Sequence, residues 1–275
     1  MKIKLFTAFV IVILIIVGFS GCIDFFGEKT GPEVKEYLEN EYLATNNTIL
    51  SISTVNGAIN VSSWDGINIT LNATKRSRHG YDDLEKADII VTENNNEITI
   101  EIQHVQPIRN RAVDLDVKIP YNVTIKSASS VNGPIQITKT KGDAVLSNTN
   151  GPIIAEGIDG YVKATTTNGG INIKSTTGID DLTTTNGGIS AEIFDIKDDI
   201  DIQSTNGGIT VYINPINNAS IEILTTNGGM LVDETFISVI DSESKYLKGT
   251  IGNGGSNIDI KTTNGGIKVF KLEIL

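Results

Sequence analysis

The sequence contains very few of the side chains that do chemistry in enzymes. Its 275 residues include one cysteine, two histidines and one tryptophan. The single cysteine, Cys22, cannot form a disulfide within the chain, so no disulfide stabilises the fold. Thiolate metal sites and cysteine nucleophiles are excluded from the rest of the chain. The two histidines, His79 and His104, fall in predicted loops, and we interpret both as solvated loop residues.

Familiar catalytic motifs are absent as well. The serines do not occur in a Gly-x-Ser-x-Gly setting, and no glycine-rich segment has the spacing of a phosphate-binding loop followed by a lysine. From these absences we predict that the protein is not an enzyme and that it uses no cofactor.

Carboxylates are more frequent, and one group of them is dense. This group comprises Asp180, Asp181, Asp195, Asp198, Asp199 and Asp201. If sequence repeats stack, Asp181 and Asp201 occupy matching positions, and an array of oxygen ligands can hold Ca²⁺. The glycine–aspartate spacing of known calcium solenoids is missing, so we interpret the group as a solvated acidic edge and predict no metal site.

Positive charge is scarce and concentrated. The formal net charge is −11, which makes the chain a poor partner for nucleic acid. All four arginines lie in two short segments, residues 75–79 and residues 109–111. We interpret these segments as solvated loops whose charge balances Asp82, Asp83 and Glu85.

The N-terminus has the features of an export signal. Lys2 and Lys4 precede an uncharged apolar run over residues 5–17, which is too short to span a membrane comfortably. Small residues then lead to Cys22, and this arrangement resembles the lipobox of lipoprotein signal peptides. The resemblance implies a signal peptide over residues 1–21 and lipidation of Cys22. We therefore expect a protein held by lipid on the extracytoplasmic face of the cell membrane; the alternatives are an ordinary signal peptide and an uncleaved apolar segment.

The rest of the chain is organised by a repeated Asn-Gly pair. Successive pairs are 18 residues apart between Asn132 and Asn186, and later intervals are 20 and 21 residues. Equal short intervals indicate stacked units. The repeated turns comprise Asn132, Gly133, Asn150, Gly151, Asn168, Gly169, Asn186, Gly187, Asn206, Gly207, Asn227, Gly228, Asn264 and Gly265, and related pairs occur at Asn56-Gly57 and Asn253-Gly254.

Short strands flank each turn, because apolar residues alternate with polar ones on both sides. Two all-β architectures can use such a unit. One is a single-stranded β-solenoid of 18–21-residue coils, in which the asparagine amides form a ladder at ~4.8 Å spacing. The other is an antiparallel β-sandwich of Asn-Gly hairpins. A ladder explains why the same residue recurs, so we favour the solenoid, with Ile171, Ile173, Ile189, Ile209 and Val211 pointing inward and Thr167, Thr185, Thr205 and Thr226 in matching positions.

The chain divides into segments of different regularity. Residues 22–43 form a predicted tether or short cap, with a turn or two of helix over residues 32–43. Residues 44–128 are an irregular part of the β-repeat domain, and residues 129–275 are the regular part. The series Val55–Val61, Ser63–Ile67, Val117–Pro120 and Asn132–Ile135 resembles the exported "putative adhesin" family over residues 44–275. The resemblance implies a right-handed single-stranded β-helix, and no catalytic residue comes with it.

Two further groups of candidate residues follow from the sequence alone. Six sequons allow N-glycosylation of an exported chain, at Asn46, Asn60, Asn68, Asn72, Asn122 and Asn218. The C-terminal strand ends without a polar cap, and an unprotected edge invites pairing with another chain. We therefore predict an edge contact through Phe270, Leu272 and Ile274.

Together these features predict a membrane-held, surface-exposed module that binds or supports other envelope components. The predicted partner is an envelope protein, a glycan or a second copy of the chain. Two competing classes remain open at this point. One is a polysaccharide-active enzyme on a β-helix, and the other is an envelope-stress accessory protein.

The lipid attachment can be tested directly. Replacing Cys22 by alanine removes the only thiol that can receive a diacylglyceryl group. We expect Cys22→Ala to release the protein from membranes or to leave an unprocessed precursor, as measured by membrane fractionation and gel mobility. A variant that fractionates and migrates like the wild type would contradict the predicted lipidation.

Overall fold

The computed structural model describes residues 31–45, 47–106 and 110–273. The predicted signal peptide, Cys22, Asn46 and Ile274 lie outside the described residues. The elements are β1 (Val34–Leu43), β2 (Ile49–Asn56), β3 (Ile59–Trp64), β4 (Asn68–Ser77), α1 (Tyr81–Leu84), β5 (Ala87–Asn94), β6 (Glu97–His104), β7 (Ala112–Pro120), β8 (Thr124–Asn132), β9 (Ile135–Thr138), β10 (Ala144–Asn150), β11 (Ile153–Glu156), β12 (Tyr161–Asn168), β13 (Ile171–Lys174), β14 (Gly178–Asn186), β15 (Ile189–Ile193), β16 (Ile200–Asn206), β17 (Ile209–Ile213), β18 (Ala219–Asn227), β19 (Met230–Val232), β20 (Ile237–Glu243), β21 (Tyr246–Ile251), β22 (Ser256–Asn264) and β23 (Ile267–Lys271).

Strand formation follows from the alternation of side chains along the sequence. In β12, for example, Val162, Ala164 and Thr166 are buried, and the residues between them face solvent. A period of two matches the geometry of a β-strand and no other regular element. Buried residues from all the regular strands join in one continuous core dominated by isoleucine, valine, leucine and alanine.

The strands form two sheets, with 11 strands in one and 12 in the other. The first sheet has the order β1-β4-β7-β3-β9-β11-β13-β15-β17-β23-β19, and the second has the order β20-β21-β18-β22-β16-β14-β12-β10-β8-β2-β6-β5. Each repeated Asn-Gly turn joins a strand of the 12-stranded sheet to one of the 11-stranded sheet, and we call such a pair of strands a coil. The all-β, solenoid-like prediction is confirmed. The alternative of Asn-Gly hairpins is wrong, because β12 and β13 flank Asn168-Gly169 yet belong to different sheets.

Successive coils pair in parallel with equivalent residues aligned. Asn168 is opposite Asn150 on one side and Asn186 on the other. In the 11-stranded sheet Ile171 is opposite Ile153 and Ile189. The residues predicted to point inward, Ile171, Ile173, Ile189, Ile209 and Val211, are all buried, which confirms that prediction.

At the C-terminal end the order of coils in space differs from their order in the chain. β22 lies between β16 and β18, and β23 lies between β17 and β19. After the β20–β21 hairpin the chain returns past Asn218, which accepts a hydrogen bond from the backbone N–H of Asn253 at 2.8 Å. Asn253-Gly254 therefore belongs to this crossing link, which explains the long interval between Asn227 and Asn264.

The edge contact predicted at the C-terminus stays a prediction, but its premise of an outermost C-terminal strand is wrong. β23 pairs in parallel with β17 up to Lys271 on one side and with β19 up to Val269 on the other. The ring centroid of Phe270 is 5.6 Å from that of Tyr212, and the Leu272 backbone N–H donates to Ile213 at 2.8 Å. The edges at this end are β19 and β20, where Leu231 and Ile240 are exposed.

The N-terminal end repeats this arrangement. In the 12-stranded sheet β2 lies between β6 and β8, and in the 11-stranded sheet β3 lies between β7 and β9. The coil of β2 and β3 is therefore out of chain order. The helix predicted within residues 32–43 is wrong, because this segment forms β1, antiparallel to β4. A lone helix of this length is marginal in water, whereas a strand can pack Leu38 and Tyr42 against the core.

In the part of the chain that the structure describes, a helix with the length and apolar character of a membrane span is absent.

The repeated glycines are required mainly by space, and most of them do not need a positive φ. Gly57 and Gly133 do have φ near 137°, but Gly169 and Gly187 are outside the left-handed region. A Cβ at Gly169 would overlap the carbonyl group of Gly151, and a Cβ at Gly187 would overlap that of Gly169. The backbones of stacked turns therefore approach too closely for any side chain at these positions.

This contact predicts a difference between two glycines of the repeated turns. Gly187→Ala should destabilise the fold by about 1–3 kcal/mol, because the methyl group must displace the backbone of the neighbouring coil. Gly229→Ala is the control, since no atom lies within 4 Å of its Cβ position. Chemical denaturation of both variants measures the effect, and equal losses would contradict the steric explanation.

Candidate functional site

The repeated turns bring eight asparagines into one column along the molecule. Each Nδ2 donates to the Oδ1 of the next asparagine at 2.7–2.9 Å, and all seven bonds run in the same direction. The first amide, on Asn56, donates to the carbonyl oxygen of Arg111 at 3.2 Å. In spatial order this asparagine column is Asn56, Asn132, Asn150, Asn168, Asn186, Asn206, Asn264 and Asn227.

A second column lies two residues before each asparagine, and sequence reasoning missed it. The Thr184 hydroxyl is buried and donates to the carbonyl oxygen of Gly169 at 2.9 Å. Equivalent bonds to the turn glycines of neighbouring coils come from Ser130, Asn148, Thr166, Ser204, Thr225 and Thr262. The sequence does contain the signal, because these positions are in phase with the buried isoleucines.

The threonines chosen from the sequence lie between aligned residues of neighbouring coils, in the matching positions predicted for them, and they face solvent. Thr167, Thr185, Thr205 and Thr226 directly precede their asparagines and are exposed. Together with Thr165 and Thr183, two residues earlier on their strands, they line the outer surface of the 12-stranded sheet. We call this surface the hydroxyl face. Its side chains have fixed spacing, because the strands that carry them are paired in register.

Acidic side chains form a row beside the hydroxyl face. Asp181 is opposite Asp201, as expected, Asp201 is opposite Asp259, and Asp259 is opposite Glu222. Lys163 contacts Asp181 at 2.5 Å, and Lys261 contacts Asp259 at 3.4 Å and Glu222 at 3.8 Å. Within residues 31–45, 47–106 and 110–273, no cluster of three or more acidic, histidine or cysteine side chains is arranged to hold a metal ion.

Two further acidic residues of the predicted group, Asp180 and Asp195, tie coils together through Lys197 and Tyr161. The Tyr161 hydroxyl donates to Asp195 at 2.6 Å, and burial together with this carboxylate raises the pKa of Tyr161 to about 12. The Lys197 ammonium lies 3.0 Å from Asp143, 3.3 Å from Asp180 and 4.2 Å from the centre of the Tyr161 ring. These groups link four successive coils through their side chains.

At its N-terminal end the asparagine column opens into a cleft of about 620 Å³. We call it the head cleft. It is lined by Glu33, Asn56, Gly57, Arg76, Ser77, Arg78, Asn110, Arg111, Ala112 and Asn132. The structure thus brings Arg76 and Arg78 together with Arg111, which is far from them in sequence, whereas Arg109 lies outside the described residues.

Arg111 forms the floor of this region, and interpreting it as a solvated loop residue is wrong. Its side chain is fully buried, with Nη1 at 2.6 Å from the Asp83 carboxylate and Nη2 donating to Val105 at 2.6 Å. Burial alone would raise the pKa of Asp83, but the hydrogen bond from Ser77 and the charge of Arg111 outweigh it and lower that pKa. Burial, and then the charge of Arg111, lower the pKa of His104.

The other two arginines of the head cleft, Arg76 and Arg78, differ in whether a carboxylate pairs with them. Arg76 donates to Asp114 through Nε at 2.7 Å and Nη2 at 3.3 Å, and this hydrogen bonding raises the pKa of Arg76. Arg78 is exposed, and among the described residues no carboxylate lies within ion-pair distance of its guanidinium. The head cleft therefore contains one cation whose charge is not compensated locally.

The sequons occupy different environments. Asn60 on β3 and Asn218 in a turn are exposed, as is Asn122. Asn68 and Asn72 lie on β4, an inner strand of the 11-stranded sheet, and Asn68 donates to Glu41 at 3.1 Å. Their involvement in sheet packing makes these two less accessible than the other three.

Comparison with known proteins adds a family and several similar structures. The model of a family described as Toastrack DUF4097 matches residues 37–270. Similar solved structures include a "putative cell adhesion protein" from Clostridium sporogenes (11% identity, 85% of this chain and 99% of that one, TM-score 0.34). Another is a "putative adhesin" from Bacteroides fragilis (10% identity, 86% of this chain and 97% of that one, TM-score 0.38). A third is a "putative lipid binding protein" from Parabacteroides distasonis (12% identity, 86% of this chain and 97% of that one, TM-score 0.37). No curated protein matches the chain.

The buried hydroxyl column predicts losses of stability of different size for two adjacent threonines. Thr184→Val should destabilise the fold by about 1–2 kcal/mol, because the Gly169 carbonyl loses a hydrogen bond inside the protein. Thr185→Val is the matched control, since that hydroxyl faces solvent and should cost less than about 0.5 kcal/mol. Urea denaturation compares the two, and a larger loss for Thr185→Val would contradict the assignment.

Proposed function

We propose that this chain, which belongs to the Toastrack DUF4097 family, is a non-enzymatic binding module displayed at the cell envelope, where the hydroxyl face holds a glycan. In this proposal Cys22 carries the lipid that keeps the protein on the extracytoplasmic side of the membrane, as the N-terminal sequence predicts. We further propose that the solenoid is right-handed with coils of 18–21 residues, as the repeat intervals and the family resemblance suggest.

One observation supports the binding role above the others, namely the fixed geometry of the hydroxyl face. Thr165, Thr167, Thr183 and Thr185 lie on neighbouring strands that pair in register, so the backbone positions that carry their hydroxyls are fixed. Groups that are already ordered lose little conformational entropy on binding, which favours affinity. Hydroxyl side chains can both donate and accept hydrogen bonds, as sugar hydroxyls do.

The proposal of a non-enzymatic role is supported by what the titratable groups of the molecule do. Tyr161, Asp195, Lys197 and Asp143 combine acid, base and cation side chains, as a polysaccharide-cleaving enzyme would require. Each of them is engaged by another member of the set, through bonds that connect successive coils. We therefore assign this cluster to stabilisation of the stack.

The proposal is tested by asking which face holds envelope material. Full-length protein is incubated with envelope fractions, and retention is measured after protease treatment or after periodate oxidation of sugars. We expect binding to survive protease and to be lost on oxidation. Thr183→Arg should reduce retention, because a long charged side chain disturbs the hydroxyl face. Asn172→Arg, an exposed position on the other sheet, is the control.

Three outcomes would contradict the proposal. The wild type could fail to be retained, retention could be lost on protease treatment and survive oxidation, or Thr183→Arg and Asn172→Arg could behave alike. The second outcome would indicate an envelope protein as the partner. Sedimentation of the same samples measures whether the chain associates with itself.

A further inference from the structure

The head cleft has an imbalance of charge that follows from its contacts. Arg76 is paired with Asp114, and Arg111 is paired with Asp83. Glu33, the acid that lines the cleft, lies 3.3 Å from the Lys35 ammonium. The uncompensated group among the described residues is the exposed guanidinium of Arg78. Of the charges that the structure describes in the cleft, this one is available to a ligand.

The cleft walls also carry hydrogen-bond donors that keep hydrogens available. Asn132 and Asn56 each use one amide hydrogen in the asparagine column. An amide nitrogen carries two hydrogens, so each of these side chains retains a second donor. Arg76 uses Nε and Nη2 for Asp114, which leaves both hydrogens of Nη1. The walls therefore suit an anion better than a neutral or cationic group.

The acids at and beside the cleft indicate the kind of anion. Glu33, which lines the cleft, and Asp114, which is bonded to Arg76, would repel a doubly charged phosphate or sulfate more strongly than a singly charged carboxylate. The Glu33 carboxylate can also accept hydrogen bonds from ligand hydroxyls. The volume of about 620 Å³ falls within the ~300–1,000 Å³ that small-molecule sites occupy. A carboxylate on a hydroxyl-rich ring meets all three conditions.

We propose that the head cleft binds the carboxylate of an acidic sugar of the hexuronate class, with Arg78 as the residue that contacts the charge. The cleft begins where the asparagine column ends, so an acidic unit bound there would continue into a chain lying along the hydroxyl face. This inference rests on the proposed glycan-binding function and specifies its ligand.

Isothermal titration calorimetry of the full-length protein with sodium glucuronate tests the site. Glucose is the comparison ligand, because it has a similar ring without the carboxylate. We expect saturable binding of glucuronate and none of glucose. Arg78→Ala should weaken the affinity about tenfold or more, because a charge-assisted hydrogen bond is lost. Arg78→Lys keeps the charge and should fall between Arg78→Ala and the wild type.

A matched control separates the cleft from general surface charge. Lys248 is an exposed cation on β21, far along the stack from the head cleft, and Lys248→Ala should bind glucuronate like the wild type. Circular dichroism checks that every variant is folded. Inorganic phosphate is added as a competitor, and we expect it to displace glucuronate poorly because it carries more negative charge.

The inference is overturned if glucuronate does not bind saturably, if Arg78→Ala binds like the wild type, or if Lys248→Ala loses as much affinity as Arg78→Ala. Phosphate that binds as tightly as glucuronate overturns the choice of a uronate as ligand. Failure here is distinguishable from failure of the proposed function. Protein retained by envelope glycan but unable to bind glucuronate contradicts only the inference about the head cleft.

Discussion

Parallel pairing in register is the constraint on which the rest of this structure depends. A shift of one residue between Asn168 and Asn186 would move every buried side chain of a strand to the surface. The register therefore follows from burial of the isoleucines, and the asparagine column, the glycine contacts and the buried hydroxyls follow from the register. Thr184, for example, reaches the carbonyl of Gly169 because the coils are aligned. The same alignment holds the hydroxyl face in place.

The buried ion pair between Arg111 and Asp83 has a comparable role at the N-terminal end. Leaving either charge buried alone would cost several kcal/mol, so the two side chains and their hydrogen-bond partners must be positioned together. Ser77 donates to the same carboxylate at 2.7 Å and is the last residue of β4, between Arg76 on that strand and Arg78 directly after it. The ion pair thus fixes the strand that supplies the cationic wall of the head cleft. The ion pair that stabilises this end of the fold therefore also positions the arginines of the proposed ligand site.

Both ends of the stack contain a coil that is out of sequence order, and this affects the edges of the sheets. The terminal strands β1, β5 and β20 pair with their neighbours in antiparallel fashion, as do β4 with β7 and β18 with β21, whereas the strands of the regular middle pair in parallel. Edge strands that carry charges resist pairing with other chains. Glu39 and Glu41 on β1 have this effect at one end, whereas Ile240 leaves an apolar position on β20 at the other. The regular middle of the stack, which bears the hydroxyl face, is protected from edge pairing.

The sequence by itself determined the all-β class, the inward isoleucines and the alignment of the Asn-Gly turns, because alternation and equal intervals are local properties of the chain. Tertiary structure decided which coil is next to which, since the Thr-Thr-Asn-Gly-Gly segments ending at Gly229 and Gly266 are identical and either could follow Gly208. It also decided that residues 32–43 extend as a strand and that Arg111 is buried against Asp83. Each of these outcomes depends on contacts between residues far apart in the chain, and their energies are not encoded in any local pattern.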